Sequence, residues 1–154
     1  MPASTSPSVN GYVLDTNVLS LLAKIGRLDL LVQLATVPLY VTPAIQTELE
    51  IGFENGVSYL ADALQLVATG ALPCRTLTPV ERLLLRALPT KLAAGEAEAI
   101  ALCRHNQLTL ISHDRKAINY CVLEGIDCIR LTVLVETLEN AGLLTKIESQ
   151  TMFS

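Results

Sequence analysis

Tyr12-Val13-Leu14-Asp15-Thr16-Asn17 is the segment that most strongly indicates the fold of this chain of 154 residues. Three residues that favour a strand lead directly into a carboxylate, and two small polar residues then open a helical pattern. A buried strand of this kind belongs to an open α/β sheet, in which ligands bind beyond the C-terminal ends of the strands. The arrangement recurs at Leu108-Thr109-Leu110-Ile111-Ser112-His113-Asp114, so we expect two strands that each end at an aspartate.

The composition predicts one well-packed domain. Hydrophobic residues make up 51% of the chain and charged residues only 17%, which excludes a disordered protein and suits helices packed on a buried parallel sheet. The net charge is −4, so no broad basic surface is available for duplex DNA. A nucleic acid would have to be attracted locally or through a bound cation.

The cysteines and the start of the chain bear on localisation. The four cysteines have no Cys-x-x-Cys spacing, and we expect reduced structural thiols, with a zinc site or disulfides as the minor alternative. Residues 1–10 are rich in Pro and Ser and lack an apolar core, which predicts a flexible leader and not a signal peptide. No apolar run reaches the roughly 20 residues of a membrane helix. These features predict a cytoplasmic protein without a membrane segment.

Strands alternate with helices along the chain, which indicates an α/β fold with a mainly parallel sheet. The predicted strands are 11–14, 37–41, 108–111 and 126–129, with a further candidate at 64–67. The predicted helices are 17–23, 28–35, 44–51 (closed by Gly52), 57–64, 80–88, 96–105, 115–124 and 132–141. Pro38 places the second strand at an early or edge position. The domain is expected to span 11–144, followed by a C-terminal tail of residues 145–154.

Several acids are predicted to meet at the C-terminal edge of the sheet. Right-handed crossovers bring Asp15 and Asp114 to the same edge. Glu48 lies about one turn into the helix that begins at Thr42-Pro43, directly after the second strand. Alone, each aspartate is also a favourable helix N-cap, and Glu48 is an ordinary surface residue of a helix. The sequence pattern leaves these alternatives open.

A further acid comes from the helix that precedes the strand at 108–111. Glu96 and Glu98 are two residues apart, so they point about 200° apart around a helix and only one can face the site. Gly95 lets the backbone before Glu96 approach closely, which favours Glu96 and leaves Glu98 as the alternative. Carboxylates gathered at one point repel one another unless a divalent cation lies among them. Oxygen ligands without His or Cys indicate Mg²⁺ or Mn²⁺ and metal-assisted phosphodiester hydrolysis.

At these residues the chain resembles the PIN-domain ribonuclease family, which includes the VapC-type toxins of toxin–antitoxin pairs. The resemblance covers residues 11–144, and Lys24-Ile25-Gly26-Arg27-Leu28-Asp29-Leu30-Leu31 further resembles a subgroup of small prokaryotic members. Four motifs in the family's order carry it: Leu14-Asp15-Thr16-Asn17, Pro43-Ala44-Ile45-Gln46-Thr47-Glu48, Gly95-Glu96-Ala97-Glu98-Ala99-Ile100-Ala101-Leu102 and Ser112-His113-Asp114. One departure is that Glu96 stands where the family more often has Asp.

The resemblance implies a three-layer α/β/α fold and a metal-dependent endoribonuclease that acts on single-stranded RNA. The Mg²⁺ or Mn²⁺ ligands and catalytic residues would be Asp15, Glu48, Glu96 and Asp114. The residues that orient them or a water molecule would be Thr16, Asn17 and Ser112. Arg115 and Lys116 would contact RNA phosphates, and an exposed helix face is an equal alternative for this pair.

The resemblance also implies a small antitoxin protein as partner. The apolar excess and Leu83-Leu84-Leu85 would serve such a partner or a homodimer, or simply the core. The alternative function is a catalytically degenerate PIN domain that binds RNA or protein without cutting. A phosphate-accepting receiver domain shares the aspartate at a strand end, but the chain lacks an obvious Asp on a middle strand together with a later strand-end Lys.

Overall fold

A parallel sheet forms the centre of the protein, for which the computed structural model describes residues 9–154. Within this range the strands are β1 (Tyr12–Leu14), β2 (Leu39–Tyr40), β3 (Thr109–Ser112) and β4 (Cys128–Arg130). Their spatial order is β2-β1-β3-β4, and all neighbours run parallel. Leu14 is in register with Ile111, so β1 and β3 end side by side, as predicted for the two aspartates. The predicted leader, residues 1–10, lies mostly outside the described residues.

Helices cover both faces of the sheet and complete the predicted three-layer α/β/α fold. Over the described residues they are α1 (Thr16–Lys24), α2 (Asp29–Leu34), α3 (Pro43–Glu54), α4 (Leu60–Thr69), α5 (Pro79–Arg86), α6 (Ala94–Asn106), α7 (Arg115–Glu124), α8 (Leu131–Asn140) and α9 (Lys146–Met152). Thr42 and Thr78 cap α3 and α5, each followed by Pro in the first turn, because a hydroxyl acceptor and a fixed φ favour helix initiation. The predicted bounds of α7 are confirmed.

Several features of the structure differ from the predictions, including the helix predicted at 57–64, which instead spans Leu60–Thr69. The candidate strand at 64–67 is wrong, since these residues belong to α4. Gly52 does not end α3, which continues to Glu54. A Cβ at Gly52 would lie 2.6 Å from Leu60 Cδ1, so this glycine allows α3 and α4 to pack closely. Finally, the segment 145–154 contains a helix, α9, that the sequence analysis did not anticipate.

α9 is anchored to the first helix and ends near the sheet edge. A capping box between Thr145 and Glu148 starts it, and Met152 is fully buried. Arg27 Nη1 lies 2.9 Å from Glu148 Oε2, and the Lys24 ammonium donates to the carbonyl of Ser154 at 3.0 Å. The C-terminal segment is therefore a packed part of the domain.

The core contains strand β3 and two of the four cysteines. All four residues of β3 are buried, as expected for a parallel strand covered on both faces. The four cysteines form no disulfide; Cys103 and Cys121 are buried in helices α6 and α7, whereas Cys74 and Cys128 are partly buried. Within residues 9–154, no helix is long and apolar enough to cross a membrane.

Candidate active site

The four predicted acids meet at the C-terminal edge of the sheet. Asp15 follows β1, Asp114 follows β3 by two residues, Glu48 lies in α3, and Glu96 lies in the first turn of α6. They line one cavity of about 140 Å³. The cavity is also lined by Thr16, Asn17 and Gly95. Four segments that are distant in sequence therefore bring their carboxyl groups to one place.

Asp15 is the most deeply buried of these acids and is held on both oxygens. Its Oδ1 accepts from the amide of Val18 at 2.9 Å and caps α1. Its Oδ2 accepts from the Ser112 hydroxyl at 2.5 Å and from the His113 amide at 3.3 Å. Burial raises the pKa of Asp15 despite these hydrogen bonds. Asp15 thus caps α1 and also lines the cavity.

Asp114 is tied to Asp15 through Ser112. The Ser112 hydroxyl donates to Asp15 and accepts from the Asp114 amide at 3.0 Å, so it fixes the two strand ends together. Asp114 Oδ1 accepts from the Ala117 amide at 2.9 Å and caps α7. Burial alone would raise the pKa of Asp114, but hydrogen bonds to its carboxylate, first from Glu96, outweigh burial and lower the pKa. Ser112 therefore links Asp15 and Asp114 by hydrogen bonds, and its role in orienting metal ligands stays a prediction.

The surroundings of Glu96 favour the protonated form of its carboxyl group. Its Oε2 is buried and accepts no hydrogen bond from residues 9–154. The carboxylate of Asp114 is an acceptor, so the two groups can bond only through a shared proton or a cation. Burial, followed by the hydrogen bond to Asp114 and the charge of Asp114, raises the pKa of Glu96 to about 7. Without a cation, Glu96 is therefore protonated in acidic solution and only partly protonated at neutral pH.

Glu48 is positioned by Thr16 and by the absence of a side chain at residue 95. The Thr16 hydroxyl donates to Glu48 Oε1. A Cβ at Gly95 would lie 2.4 Å from the same oxygen, which is far inside van der Waals contact. Asn17 lines the cavity, but among the described residues its side chain makes no hydrogen bond. Of the three predicted orienting residues, Thr16 and Ser112 have a direct contact to a carboxylate.

Glu98, the alternative to Glu96, does not line this cavity. Its Oε1 accepts from the amide of Ala44 at 2.8 Å, at the first turn of α3. A carboxylate at a helix N-terminus satisfies a free amide and interacts favourably with the helix dipole. Glu98 is therefore not a simple surface residue. It fixes the helix that carries Glu48, a role that sequence spacing did not reveal.

Arg115 and Lys116 lie in different places. Arg115 lines a second cavity, of about 410 Å³, that adjoins the acidic one. Lys116 instead lines a surface cavity together with Lys91. The imidazole of His113 packs against Phe153, with ring centroids 5.4 Å apart, and stays out of the acidic cavity. The side chains of Arg115 and Lys116, although adjacent in sequence, therefore line different cavities at the start of α7.

Comparison with known proteins identifies the family. The family model described as the PIN domain matches residues 11–151. The chain belongs to the PIN domain family. PIN domains are generally nucleases. No curated protein matches the sequence significantly.

Solved structures share the PIN fold at low sequence identity. VapBC2 from Rickettsia felis, bound to a DNA fragment from its promoter, is 12% identical at a TM-score of 0.59, over 78% of this chain and 98% of that chain. VapBC-1 from nontypeable Haemophilus influenzae is 17% identical at a TM-score of 0.59, over 79% and 98%. A PilT N-terminus domain protein from Sulfolobus solfataricus is 15% identical at a TM-score of 0.51, over 82% and 92%. At these identities the similarity concerns the fold.

The acidic cavity of this PIN domain fits a hard divalent cation in its donor chemistry. In the described part of the chain, no three Asp, Glu, His or Cys side chains adopt the arrangement of a formed metal site. However, the four acids supply oxygen ligands only, which suits Mg²⁺ or Mn²⁺. The buried, unpartnered Oε2 of Glu96 and the raised pKa of this carboxyl group mark the place where positive charge is missing. A bound cation would replace the proton of Glu96.

We expect the metal-free protein to lose stability as the pH rises from about 4.5 to about 7. The pKa of Glu96 in the folded protein is about 7, above its ordinary value of 4.5, so the folded state holds a proton that the unfolded chain releases. The contribution of this proton to the free energy of unfolding is complete below the pKa of Glu96 in the unfolded chain. It is lost as the pH rises through the pKa of Glu96 in the folded protein. Asp15 acts in the same direction, whereas the lowered pKa of Asp114 matters only in stronger acid.

Thermal unfolding with a chelator at several pH values between these limits checks this expectation. Glu96→Gln is the control, because an amide stays neutral and should flatten the pH dependence. Adding Mn²⁺ above neutral pH should restore the melting temperature of the wild type. Equal pH profiles for the wild type and Glu96→Gln would contradict the assignment.

Proposed function

We propose that the protein is a metal-dependent endoribonuclease that hydrolyses phosphodiester bonds of single-stranded RNA. The observation that carries the proposal is the convergence of Asp15, Glu48, Glu96 and Asp114 on one cavity in a PIN domain. In this proposal the four carboxylates bind Mg²⁺ or Mn²⁺. A small recess admits a phosphodiester of a flexible single strand more readily than that of a rigid duplex, which supports a single-stranded substrate.

Each residue of the site has its own role in the proposed hydrolysis. When bound, the divalent cation supplies an activated water and offsets the negative charge of the phosphoryl oxygens. Asp15 is locked by Ser112 and by the start of α1, so its carboxylate needs no reorganisation. Thr16 fixes Glu48. Glu96 gives up the proton that it shares with Asp114, which provides the second negative charge at the point where α6 and α7 meet.

The direct test is a cleavage assay on labelled single-stranded RNAs of varied sequence. We expect cleavage with Mg²⁺ or Mn²⁺ and none with a chelator. Cleavage that persists in the chelator, or no cleavage of any RNA with either cation, would overturn the proposal. Duplex forms of the same RNAs serve as the substrate control.

We further propose that the protein acts in the cytoplasm as the toxin of a toxin–antitoxin pair. The similarity of its fold to two VapBC structures supports this role, and the free thiols suit a reducing compartment. Leu83 is 64% exposed and available to an antitoxin or a second copy of the chain, whereas Leu84 and Leu85 pack against the core. A short neighbouring gene for a DNA-binding protein would support the pair, and light scattering would measure a homodimer.

One observation favours the second candidate, a degenerate PIN domain that binds RNA or protein without cutting. Burial and the neighbouring Asp114 raise the pKa of Glu96 to about 7, and a site that kept this proton under all conditions would not take up a cation. Calorimetry distinguishes the two candidates. Absence of divalent binding at millimolar concentration, with RNA or protein binding intact, would favour the degenerate domain.

A further inference from the structure

A basic cavity adjoins the acidic one. It has a volume of about 410 Å³, within the range of roughly 300–1,000 Å³ typical of ligand pockets. The two cavities share Asp114 as a lining residue and are therefore adjacent. The other polar side chains of the basic cavity come from the end of β3 and the loop after it, from α7 and from the junction of β4 with α8. They are Ser112, His113, Arg115, Asn119, Arg130 and Thr132.

The two arginines of this basic cavity are exposed and carry charges that the protein does not neutralise. In the described residues, neither Arg115 nor Arg130 forms an ion pair or a side-chain hydrogen bond. By contrast, Arg27 and Arg104 pair with glutamates. The remaining charged group of the cavity is Asp114, whose Oδ1 already accepts a hydrogen bond from the Ala117 amide in the first turn of α7. The basic cavity is thus a local site of positive charge in a chain of net charge −4.

The chemistry of the basic cavity fits a nucleotide. A guanidinium presents a planar fork of donors that matches the oxygens of a phosphate. The Asn119 amide and the Thr132 hydroxyl can donate to and accept from a base or ribose. In single-stranded RNA the base edges are free for such contacts. An acidic peptide would also pair with the arginines, but the basic cavity lies beside the acidic cavity, with Asp114 lining both, which favours one RNA strand that contacts both.

We propose that the basic cavity binds the nucleotide adjacent to the scissile phosphodiester, with Arg115 and Arg130 on its phosphate and Asn119 on its base or ribose. This inference rests on the proposed function, because it identifies where the substrate of that same site lies. It explains how an acidic protein would bind a polyanion, namely by two unpaired arginines placed beside the carboxylates and not by a broad basic surface.

The test measures binding of a short fluorescein-labelled single-stranded RNA by anisotropy, over a series of salt concentrations and with a chelator present. Each phosphate contact to a single strand contributes about 0.7 to the slope of log affinity against log salt. Because both arginines are proposed to contact one phosphate, we expect the double variant Arg115→Ala/Arg130→Ala to lose about 0.7 of this slope and to bind roughly 5-fold more weakly at 0.1 M salt. Arg130→Lys should keep the slope while losing affinity, since it retains charge but not the fork.

Arg86→Ala is the matched control. Arg86 is also exposed and, within residues 9–154, unpaired, but it lies on α5 and does not line the basic cavity. Its removal should leave the slope unchanged. An unchanged slope in the double variant, or an equal loss of slope in Arg86→Ala, would overturn the inference. In that case, binding of an acidic peptide that depends on Arg115 and Arg130 would assign the cavity to a protein partner.

Binding and cleavage can fail separately. RNA binding through the two arginines without any metal-dependent cleavage would contradict the proposed function alone. Cleavage with an unchanged salt slope in the double variant would contradict the present inference alone. Thermal unfolding checks that the variants fold. If the double variant does not fold, the Arg130→Lys variant, which keeps the charge of the site, still tests the inference.

Discussion

Asp15→Asn is expected to lower the rate of metal-dependent RNA cleavage at least about 1,000-fold, equivalent to roughly 4 kcal/mol of transition-state stabilisation. The substitution removes one negative charge from the centre of the proposed cation site and keeps the size of the side chain. An effect of this size is expected because metal ions supply several kcal/mol of charge stabilisation in such reactions. The rate constant for cleavage of one labelled RNA under single-turnover conditions is the measurement.

The same substitution should leave the fold in place. Asparagine is as good an N-cap as aspartate, so its side-chain oxygen can still accept from the Val18 amide that caps α1. The Ser112 hydroxyl can rotate to accept from the new amide. The hydrogen bond from the His113 amide is lost, but it is long at 3.3 Å, so we expect the free energy of unfolding to change by about 1 kcal/mol.

The control for Asp15→Asn is Glu54→Gln. It removes the same charge at the exposed end of α3, so both cleavage and stability should match the wild type. An Asp15→Asn protein that is folded and cleaves as fast as this control would show that Asp15 is only a helix cap.

Gly95→Ala is expected to lower cleavage about 100-fold, the loss that a displacement of about 1 Å can cause at a catalytic group. The new Cβ would lie 2.4 Å from Glu48 Oε1 and 3.2 Å from Ile45 Cγ1. The Glu48 carboxylate is the flexible end of its side chain, so it moves away from the Thr16 hydroxyl and out of the acidic cavity. Stability should change little, since alanine favours the helix over glycine by about 1 kcal/mol and offsets the adjustment near Ile45.

A double-mutant cycle isolates this mechanism. If Gly95→Ala acts through Glu48, it should have little further effect on cleavage in a Glu48→Gln background, because the two effects share one carboxylate. Effects that simply add would contradict the displacement of Glu48 and indicate a general disturbance of α6. Thermal unfolding of all four proteins shows whether the fold is retained.

The strand ends of this protein could be predicted because their signals are local. A run of β-favouring residues, an aspartate and a helical pattern follow one another directly at Asp15, and the parallel topology then brings Asp114 to the same edge. Sequence alone could not decide between a helix cap and a site residue for these aspartates. The structure shows that the choice is not exclusive, because one oxygen of each caps a helix while both carboxyl groups line the cavity.

The features that could not be predicted depend on contacts distant in sequence. Glu98 bonds the Ala44 amide across 54 positions, and no periodicity within α6 encodes that contact. Gly52 looked like a helix terminator, but its role comes from the close approach of α4. The pairing of Arg115 with Arg130 around one cavity follows from the adjacency of β3 and β4. In each case tertiary packing, and not local propensity, determines what the residue does.

The four carboxylates are proposed to bind one divalent cation together. Calorimetric titration of Mn²⁺ at neutral pH tests it most directly, with Glu54→Gln as the control and Asp15→Asn as the test variant. The account predicts saturable binding at one site in the wild type and control, with a heat that depends on the buffer because Glu96 releases its proton, and loss of that binding in Asp15→Asn. No saturable binding by the wild type at millimolar Mn²⁺, or equal binding by all three proteins, would contradict it.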